Sequence, residues 1–316
     1  DLHSFPTRRS SDLSFTMIVF LGDQRQLPPI RTGGTEFWNK HPELLNNPEA
    51  DSPVFTRTDI PRVSLTERVR QGEDSPIHMV TDQFGNYTLQ GGTFPDLSST
   101  QSSMDLRLII ENPQTKLSEQ MLPLFQEGMR TQNPNFAKIV AFTNAKVNQY
   151  NMELHFLLHP EMAANRDMNF AEGDLITMYD SFTPAGAREP AVHNAEEGIV
   201  IAATGTQHMT TRTGADIRYR NYTIKMQDDR TINIPVLEQD TPNIQAYNTA
   251  LEQLKKQAIA DGGSWAWRPY YELKESMANM KMGYASTIHK SQGSTYQVVG
   301  VDTTDNFGSP RFKSQA

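Results

Sequence analysis

The sequence predicts an α/β domain that is interrupted by a block of short β-strands. Residues 117–158 show a helical pattern, then a buried apolar strand, and then a second helical pattern. Residues 173–237 instead contain short alternating runs separated by turns, which is typical of a small antiparallel barrel or meander. After a further helix, an apolar strand returns at 298–302. Strands that alternate with helices on both sides of an all-β block predict an α/β domain with a β insertion.

Each predicted element rests on a local signal. Short apolar runs rich in β-branched residues favour buried strands. These runs lie at 14–21, 106–110, 137–142 and 298–302. Apolar residues at three- and four-residue spacing favour helices, whose ends are marked by caps, prolines and glycines. The predicted helices span 75–84, 117–130 and 243–260, and one more begins at Thr143 or Asn144. Alternation in the β block predicts strands at 174–179, 198–205, 219–226 and 231–237.

Composition narrows the functional classes. At roughly 150 residues per domain, 316 residues favour two domains. The absence of cysteine excludes disulfides, thiolate zinc sites, iron–sulfur clusters and cysteine nucleophiles. The 8 histidines are scattered, with no H-x-x-x-H pair on a well-defined predicted helix, so no metal site is predicted. No apolar run approaches the roughly 20 residues of a membrane span. A net charge of −8 argues against a basic coat for nucleic acid but does not exclude a local basic channel.

Residues 1–13, DLHSFPTRRSSDL, show neither helical spacing nor strand alternation. They resemble the translation of a widely used short-read sequencing adapter, so we interpret them as an artefact and expect them to be disordered. A basic N-terminal arm around Arg8 and Arg9 is the alternative. The adapter interpretation predicts that the coding sequence begins near Ser14 and that upstream sequence is missing.

Two polar segments in the first part of the chain carry groups suited to nucleotide chemistry. The segment GDQRQLPPI at 22–30 follows a buried strand, and the amide of its Gln26 suits the sensing of a γ-phosphate. The segment LTERVRQ at 65–71 presents Arg70, which could reach a transferring phosphoryl group. A proline-stiffened surface turn and a solvated charged turn explain the same residues when each segment is taken alone.

Two later segments carry groups suited to phosphate contacts. TIHKSQGST at 287–295 offers hydroxyl groups, a cation and a glycine directly before a buried strand. Thr143 and Asn144 lie at a strand end and a helix N-terminus, where free N–H groups and the helix dipole attract phosphate. A polar turn and an ordinary helix cap are the respective alternatives.

The order of these segments resembles a known family. GDQRQLPPI, LTERVRQ, AFTNAKVNQYN and ASTIHKSQGSTYQVVGVD follow one another as motifs do in the C-terminal half of superfamily-one DNA helicases, most closely the RecD-like and phage Dda-like group. The resemblance covers nearly all of residues 14–316, and the β block matches loosely. It implies a RecA-like, P-loop-type parallel sheet with a small SH3-like β-barrel insertion. The implied pieces are a remnant of the first RecA-like domain at 14–35, a second RecA-like domain at 50–170 and 274–316, and the SH3-like insertion with its helix at 173–272.

The resemblance also implies what individual residues do. ATP with Mg²⁺ would lie between two RecA-like domains, and the parent protein would move 5′ to 3′ on single-stranded DNA and unwind duplex. Gln26 would contact the γ-phosphate, Arg70 would stabilise the transition-state charge, and Gly293 would line the nucleotide or DNA side. The residues implied to hold single-stranded DNA are Thr143, Asn144, Thr287, His289 and Lys290.

Three expected family motifs are absent from the sequence. It contains no G-x-x-x-x-G-K-[ST] phosphate loop, no acidic Mg²⁺ motif before Gly22, and no terminal arginine motif. We therefore expect a fragment truncated at both ends and inactive alone, derived from an ATP-hydrolysing cytoplasmic parent of a bacterium or its phage. The alternatives are a non-catalytic single-stranded nucleic-acid or protein-binding module, and the helicase part of a complex with replication or recombination proteins. No membrane partner is expected.

Overall fold

The computed structural model of the protein describes residues 77–78, 80–83, 116–164 and 167–302. The chain divides into two units, Asp1–Leu108 and Ile109–Ala316, and each is considered by itself. In the first unit the described residues are helical, as predicted for that stretch. The predictions for residues 1–13, 14–35 and 106–110 lie outside the described residues.

The second unit is a mixed α/β structure. Its described helices are α1 (Leu117–Arg130), α2 (Asn144–Leu158), α3 (Pro160–Ala163), α4 (Thr241–Asp261), a 3₁₀ turn (Ser264–Trp267), α5 (Arg268–Lys274) and α6 (Ile288–Ser291). Its described strands are β1 (Ala137–Ala141), β2 (Leu175–Met178), β3 (Glu197–Ala203), β4 (Gln207–Thr210), β5 (Asp216–Met226), β6 (Thr231–Leu237), β7 (Met280–Met282), β8 (Ala285–Thr287) and β9 (Val298–Val301). Within the described part of the chain, no helix combines the length and the apolar character that crossing a membrane requires.

A parallel three-stranded sheet forms the first layer of this unit. β1 lies in its centre, with β8 on one side and β9 on the other, and every residue of β1 is buried. The predictions of α1, β1 and α2 are confirmed, and Phe125 of α1 and Leu154 of α2 belong to the core with the sheet. Because all three strands run in the same direction, their carboxyl ends lie at one edge of the sheet.

An antiparallel sheet forms the second part of the unit. Its strand order is β4-β5-β3-β2-β7, with β6 paired to β5, and it curls into a half-barrel. Val200, Ile224 and Ile234 are at most 1% exposed and lie on one face of this sheet together with the ring of Tyr222. A register shift between Val200 and Ala202 bends β3, as irregular pairing does in strongly curved sheets.

The helix predicted at 243–260 is confirmed as α4, slightly longer than expected. Asp240 caps it, since its carboxylate accepts a hydrogen bond from the N–H of Asn243 at 3.1 Å. Gly262, with φ of 68°, ends it. α4 and α5 share a smaller core with β5 that includes Leu254 and Leu273.

The structure differs from the sequence prediction at four short strands. β4, β7 and β8 were not predicted, because each has only three or four residues and no apolar run. β7 pairs with β2 and so joins the antiparallel sheet, although it lies in the predicted RecA-like segment 274–316. The strand predicted at the position of β9 is present, but the prediction that it is buried is wrong. Val299 and Val301 are 44% and 48% exposed and lie on the same face of the sheet, whereas Gly300, on the other face, lies against Met121 and Leu117 of α1.

We expect Gly283→Ala to lower the free energy of unfolding by at least about 1–3 kcal/mol. Gly283 joins β7 to β8, and a Cβ there would lie 2.7 Å from the carbonyl carbon of Ile176 and 2.9 Å from its oxygen. Backbone atoms cannot move aside cheaply, so β2 and the end of β7 would have to separate locally. Urea unfolding followed by circular dichroism measures the change. Gly205→Ala is the matched control, since nothing lies within 4 Å of its added Cβ, and equal effects at both glycines would contradict the close approach.

Candidate nucleic-acid interface

The carboxyl edge of the parallel sheet brings together two segments that are far apart in sequence. β1 ends at Ala141, which is in register with the last residue of β8. The segments 142–144 and 287–290, here called the strand-end segments, therefore lie side by side. The rings of Phe142 and His289 lie 6.5 Å apart between centroids and join the two segments.

Thr143 and Asn144 begin α2 at this edge. The Thr143 side chain caps the helix by accepting a hydrogen bond from the N–H of Lys146 at 3.2 Å. Asn144 is exposed at the first helical position. The other N–H groups of the first turn point away from the helix body, and the helix dipole makes this end attractive to an anion.

Thr287 and Lys290 occupy different positions in the second strand-end segment. Thr287 is only 8% exposed, and its hydroxyl oxygen accepts a hydrogen bond from the N–H of Lys290 at 3.4 Å. Thr287 therefore shapes the turn that carries the segment. Lys290 is exposed and His289 is half-buried. Of the residues in this segment, Lys290 is the one whose charge faces solvent.

A cation–aromatic patch, formed by Tyr179, Lys281 and Lys290, lies beside this segment. The Nζ atoms of Lys290 and Lys281 lie 3.4 Å and 4.1 Å from the centre of the Tyr179 ring. Tyr179 follows β2 and Lys281 lies in β7, so the patch joins the antiparallel sheet to the parallel one. Sequence reasoning missed Tyr179 and Lys281, because only the fold brings them to Lys290.

The other predicted residues are not brought into this group. Gly293 lies in the exposed turn after α6 with φ of 90°, a conformation that favours glycine. Gln26 and Arg70 lie outside the described residues. The structure thus shows where the residues predicted to contact DNA lie, and both the DNA contacts and the nucleotide contacts stay predictions.

Asn151 and Asp302 support the edge from within. The Asn151 amide donates to the carbonyl of Ala285 at 3.3 Å and accepts from its N–H at 2.7 Å, so it pairs with β8 as a neighbouring strand would. At the end of β9, the Asp302 carboxylate accepts a hydrogen bond from the Tyr150 hydroxyl at 2.7 Å. The first contact ties α2 to the beginning of β8, and the second ties α2 to the carboxyl end of β9.

A buried ion pair links the two sheets beneath the edge. Lys138 of β1 is 1% exposed and Glu197 of β3 is 7% exposed, and their Nζ and Oε1 atoms lie 2.8 Å apart. Lys138 also donates to the carbonyl of Gly283. The Tyr296 hydroxyl donates to both Glu197 oxygens, at 3.1 and 3.2 Å. Burial and the Glu197 charge raise the pKa of Tyr296, so it remains a donor at neutral pH.

Comparison with known proteins identifies no family for this chain. Neither a protein-family model nor a curated protein significantly matches the chain. The interpretation of the edge therefore depends on the residues themselves and on the resemblance of the motifs.

Among the described residues, one group could hold a metal ion, and it lies apart from the strand-end segments. It consists of His155, His159 and Asp174, all buried. Burial disfavours the charge of the Asp174 carboxylate, but the two imidazoles outweigh this and lower its pKa. Burial likewise opposes protonation of His155, but Asp174 outweighs it and raises the pKa of His155. The sequence predicted no H-x-x-x-H pair on a well-defined helix; His155 is in the last turn of α2, and His159 directly follows the helix as its C-cap. The four-residue spacing was the available signal.

Proposed function

We propose that the second unit is a RecA-like motor domain, with an SH3-like insertion, from a superfamily-one DNA helicase. Its carboxyl edge binds single-stranded DNA. The observation that supports this is the juxtaposition of the two strand-end segments at the ends of β1 and β8. They are the segments in which the family motifs place DNA contacts, and carboxyl edges of parallel sheets commonly bind ligands.

The edge offers separate groups for the backbone and the bases of a strand. Lys290 and Lys281 supply point charges for phosphates, and the first turn of α2 supplies N–H donors. Bases would stack on the rings of Tyr179 and His289 when Lys290 and Lys281 turn from the Tyr179 ring to the phosphates. Such a contact is worth about 1–3 kcal/mol per base. Such contacts need no particular base, which suits a protein that moves along DNA. The net charge of −8 makes this local grouping of cations important, because the whole molecule does not attract nucleic acid.

We further propose that the parent protein couples this edge to ATP hydrolysis with Mg²⁺ and moves 5′ to 3′ in the cytoplasm. Gln26 would sense the γ-phosphate, Arg70 would stabilise the transferring phosphoryl group, and Gly293 would lie near the nucleotide. The order of the motifs in the sequence supports this part. DNA-stimulated ATP hydrolysis by the parent distinguishes it from the alternative, a non-catalytic nucleic-acid or protein-binding module, which would show none.

We expect Lys290→Ala to weaken single-stranded DNA binding several-fold. The variant loses one exposed cation, so the slope of log K against log salt should become shallower by about one unit. Fluorescence anisotropy with a labelled oligonucleotide of mixed sequence, measured at a series of salt concentrations, gives both quantities.

Lys256→Ala is the control for this measurement. Lys256 is also exposed, but it lies on α4, away from the strand-end segments. The Lys256→Ala variant should keep a DNA affinity and a salt slope close to those of the wild type. If both variants change the slope equally, DNA binds by general attraction to lysines and the edge is not the interface.

A further inference from the structure

The His–Asp cluster lies where the chain passes between the two sheets. His155 is in the last turn of α2, His159 follows that helix, and Asp174 immediately precedes β2 of the antiparallel sheet. Tyr284 lies between β7 and β8, where the chain returns to the parallel sheet, and its hydroxyl donates to Asp174 Oδ1. The side chains of His155, His159 and Asp174 are at most 8% exposed. The cluster thus contacts both the outgoing and the returning chain.

The side chains converge on one carboxylate oxygen. Asp174 Oδ1 lies 3.2 Å from Nδ1 of His155 and 3.0 Å from Nε2 of His159. The His159 contact does not have hydrogen-bond geometry, so this buried nitrogen has no hydrogen-bond partner. A buried polar atom without a partner is costly. A network of hydrogen bonds alone therefore explains His155 but not the position of His159.

The two distances to Asp174 Oδ1 match those between ligands of one zinc ion. Zinc lies about 2.0–2.1 Å from imidazole nitrogens and carboxylate oxygens, which places neighbouring ligands of a tetrahedron about 3.3 Å apart. One nitrogen of each ring and one carboxylate oxygen all lie within 4.8 Å of one another. Two imidazoles with one carboxylate favour zinc over magnesium or calcium, which prefer oxygen ligands.

The surrounding contacts orient these ligands as in known metal sites. The other ring nitrogen of His155, Nε2, lies 3.2 Å from the carbonyl oxygen of Asp167. The second carboxylate oxygen of Asp174 accepts from the N–H of Ala171 at 2.6 Å. Metal-bound histidines commonly donate their second N–H to a carbonyl, and metal-bound carboxylates are commonly hydrogen-bonded in this way.

We propose that His155, His159 and Asp174 bind a structural zinc ion that fastens the antiparallel sheet to the parallel one. The Tyr284 hydroxyl, which donates to Asp174 Oδ1, supplies the fourth ligand. Zinc takes the place of the proton that His155 Nδ1 directs at Asp174, and that proton is released to solvent. The burial of the ligands makes the ion part of the folded structure and not a catalytic centre. This role is independent of nucleic-acid binding.

Zinc content and metal-dependent stability test the proposal. The full chain is produced in zinc-supplemented medium with a histidine-free purification tag, dialysed against a weak chelator, and analysed by inductively coupled plasma mass spectrometry. We expect about one zinc per chain, and a melting temperature that falls after a strong chelator and recovers with zinc. His159→Gln should retain less than about a tenth of the zinc.

His208→Gln is the matched control. His208 also lies beside an aspartate, with Nδ1 2.9 Å from Asp216 Oδ2, but that pair is exposed and has no second histidine. This variant should keep about one zinc per chain. The proposal is overturned if the wild-type chain is folded without zinc and its melting temperature does not respond to the chelator. It is also overturned if the two variants retain equal amounts of zinc. Should His159→Gln fail to fold, the zinc X-ray absorption spectrum of the wild type decides. Two imidazole ligands support the site, and any other number overturns it.

Discussion

Glu197→Ala is expected to lower the free energy of unfolding by about 3–5 kcal/mol, the cost of leaving a buried charge unpaired. The substitution removes the carboxylate that lies 2.8 Å from Lys138 Nζ, and Lys138 is only 1% exposed. The Lys138 ammonium group keeps only the carbonyl of Gly283 as a hydrogen-bond acceptor. The Tyr296 hydroxyl loses Glu197 as its acceptor. Urea unfolding at neutral pH, followed by circular dichroism, measures the change.

Two further variants show that the pair is responsible. Glu196→Ala is the neighbouring control, because Glu196 pairs with the half-exposed Arg230 and should cost only about 0–1 kcal/mol. Replacing both buried partners, with Lys138→Met and Glu197→Leu together, should recover most of the loss, since no charge is then left buried. If Glu197→Ala were no more destabilising than Glu196→Ala, the buried pair would not hold the sheets together.

Asn151→Ala is expected to cost roughly 2–4 kcal/mol, because each buried backbone group left without a partner costs about 1–3 kcal/mol. The N–H and carbonyl of Ala285 would both lose the Asn151 amide. Since β8 leads directly into the 287–290 strand-end segment, the loosened strand should also weaken single-stranded DNA binding several-fold at fixed salt. Unlike Lys290→Ala, this variant removes no charge, so the salt slope should not change.

Asn148→Ala provides the comparison on the same helix. Asn148 is exposed and lies three residues before Asn151 on α2. Removing its side chain should change the free energy of unfolding by less than about 0.5 kcal/mol. Thermal unfolding and fluorescence anisotropy on the three proteins separate the effects. A stable Asn151→Ala variant with wild-type affinity would show that the amide does not position the segment.

The sequence predicted those elements whose signals are local. The apolar spacing of α1 gave its observed bounds, and the Thr143 hydroxyl predicted the cap of α2. β4 and β7 were missed because their pairing partners, and not their own residues, define them. The exposure of Val301 was missed for a related reason, since an apolar run does not indicate which face of the strand other elements cover.

The site was only partly predictable for the same reason. Thr143 and Lys290 could be found as strand-end residues, but their proximity depends on the parallel pairing of β1 and β8. Tyr179 gave no sequence signal of its own. Lys138 did give one, because a single lysine in an otherwise apolar strand indicates a buried partner, but the sequence does not say which acid supplies it.

Photo-crosslinking tests the central claim most directly. The full chain is mixed with an oligonucleotide carrying photoreactive bases, irradiated, and digested, and the crosslinked peptides are identified by mass spectrometry. Our account predicts crosslinks at Tyr179 and His289, the rings beside Lys290. The most exposed large aromatic of the described residues, Trp265, is 72% exposed and offers a competing surface. Crosslinks at Trp265 with none at Tyr179 or His289, or the absence of DNA binding by the folded chain, would contradict an interface at the carboxyl edge.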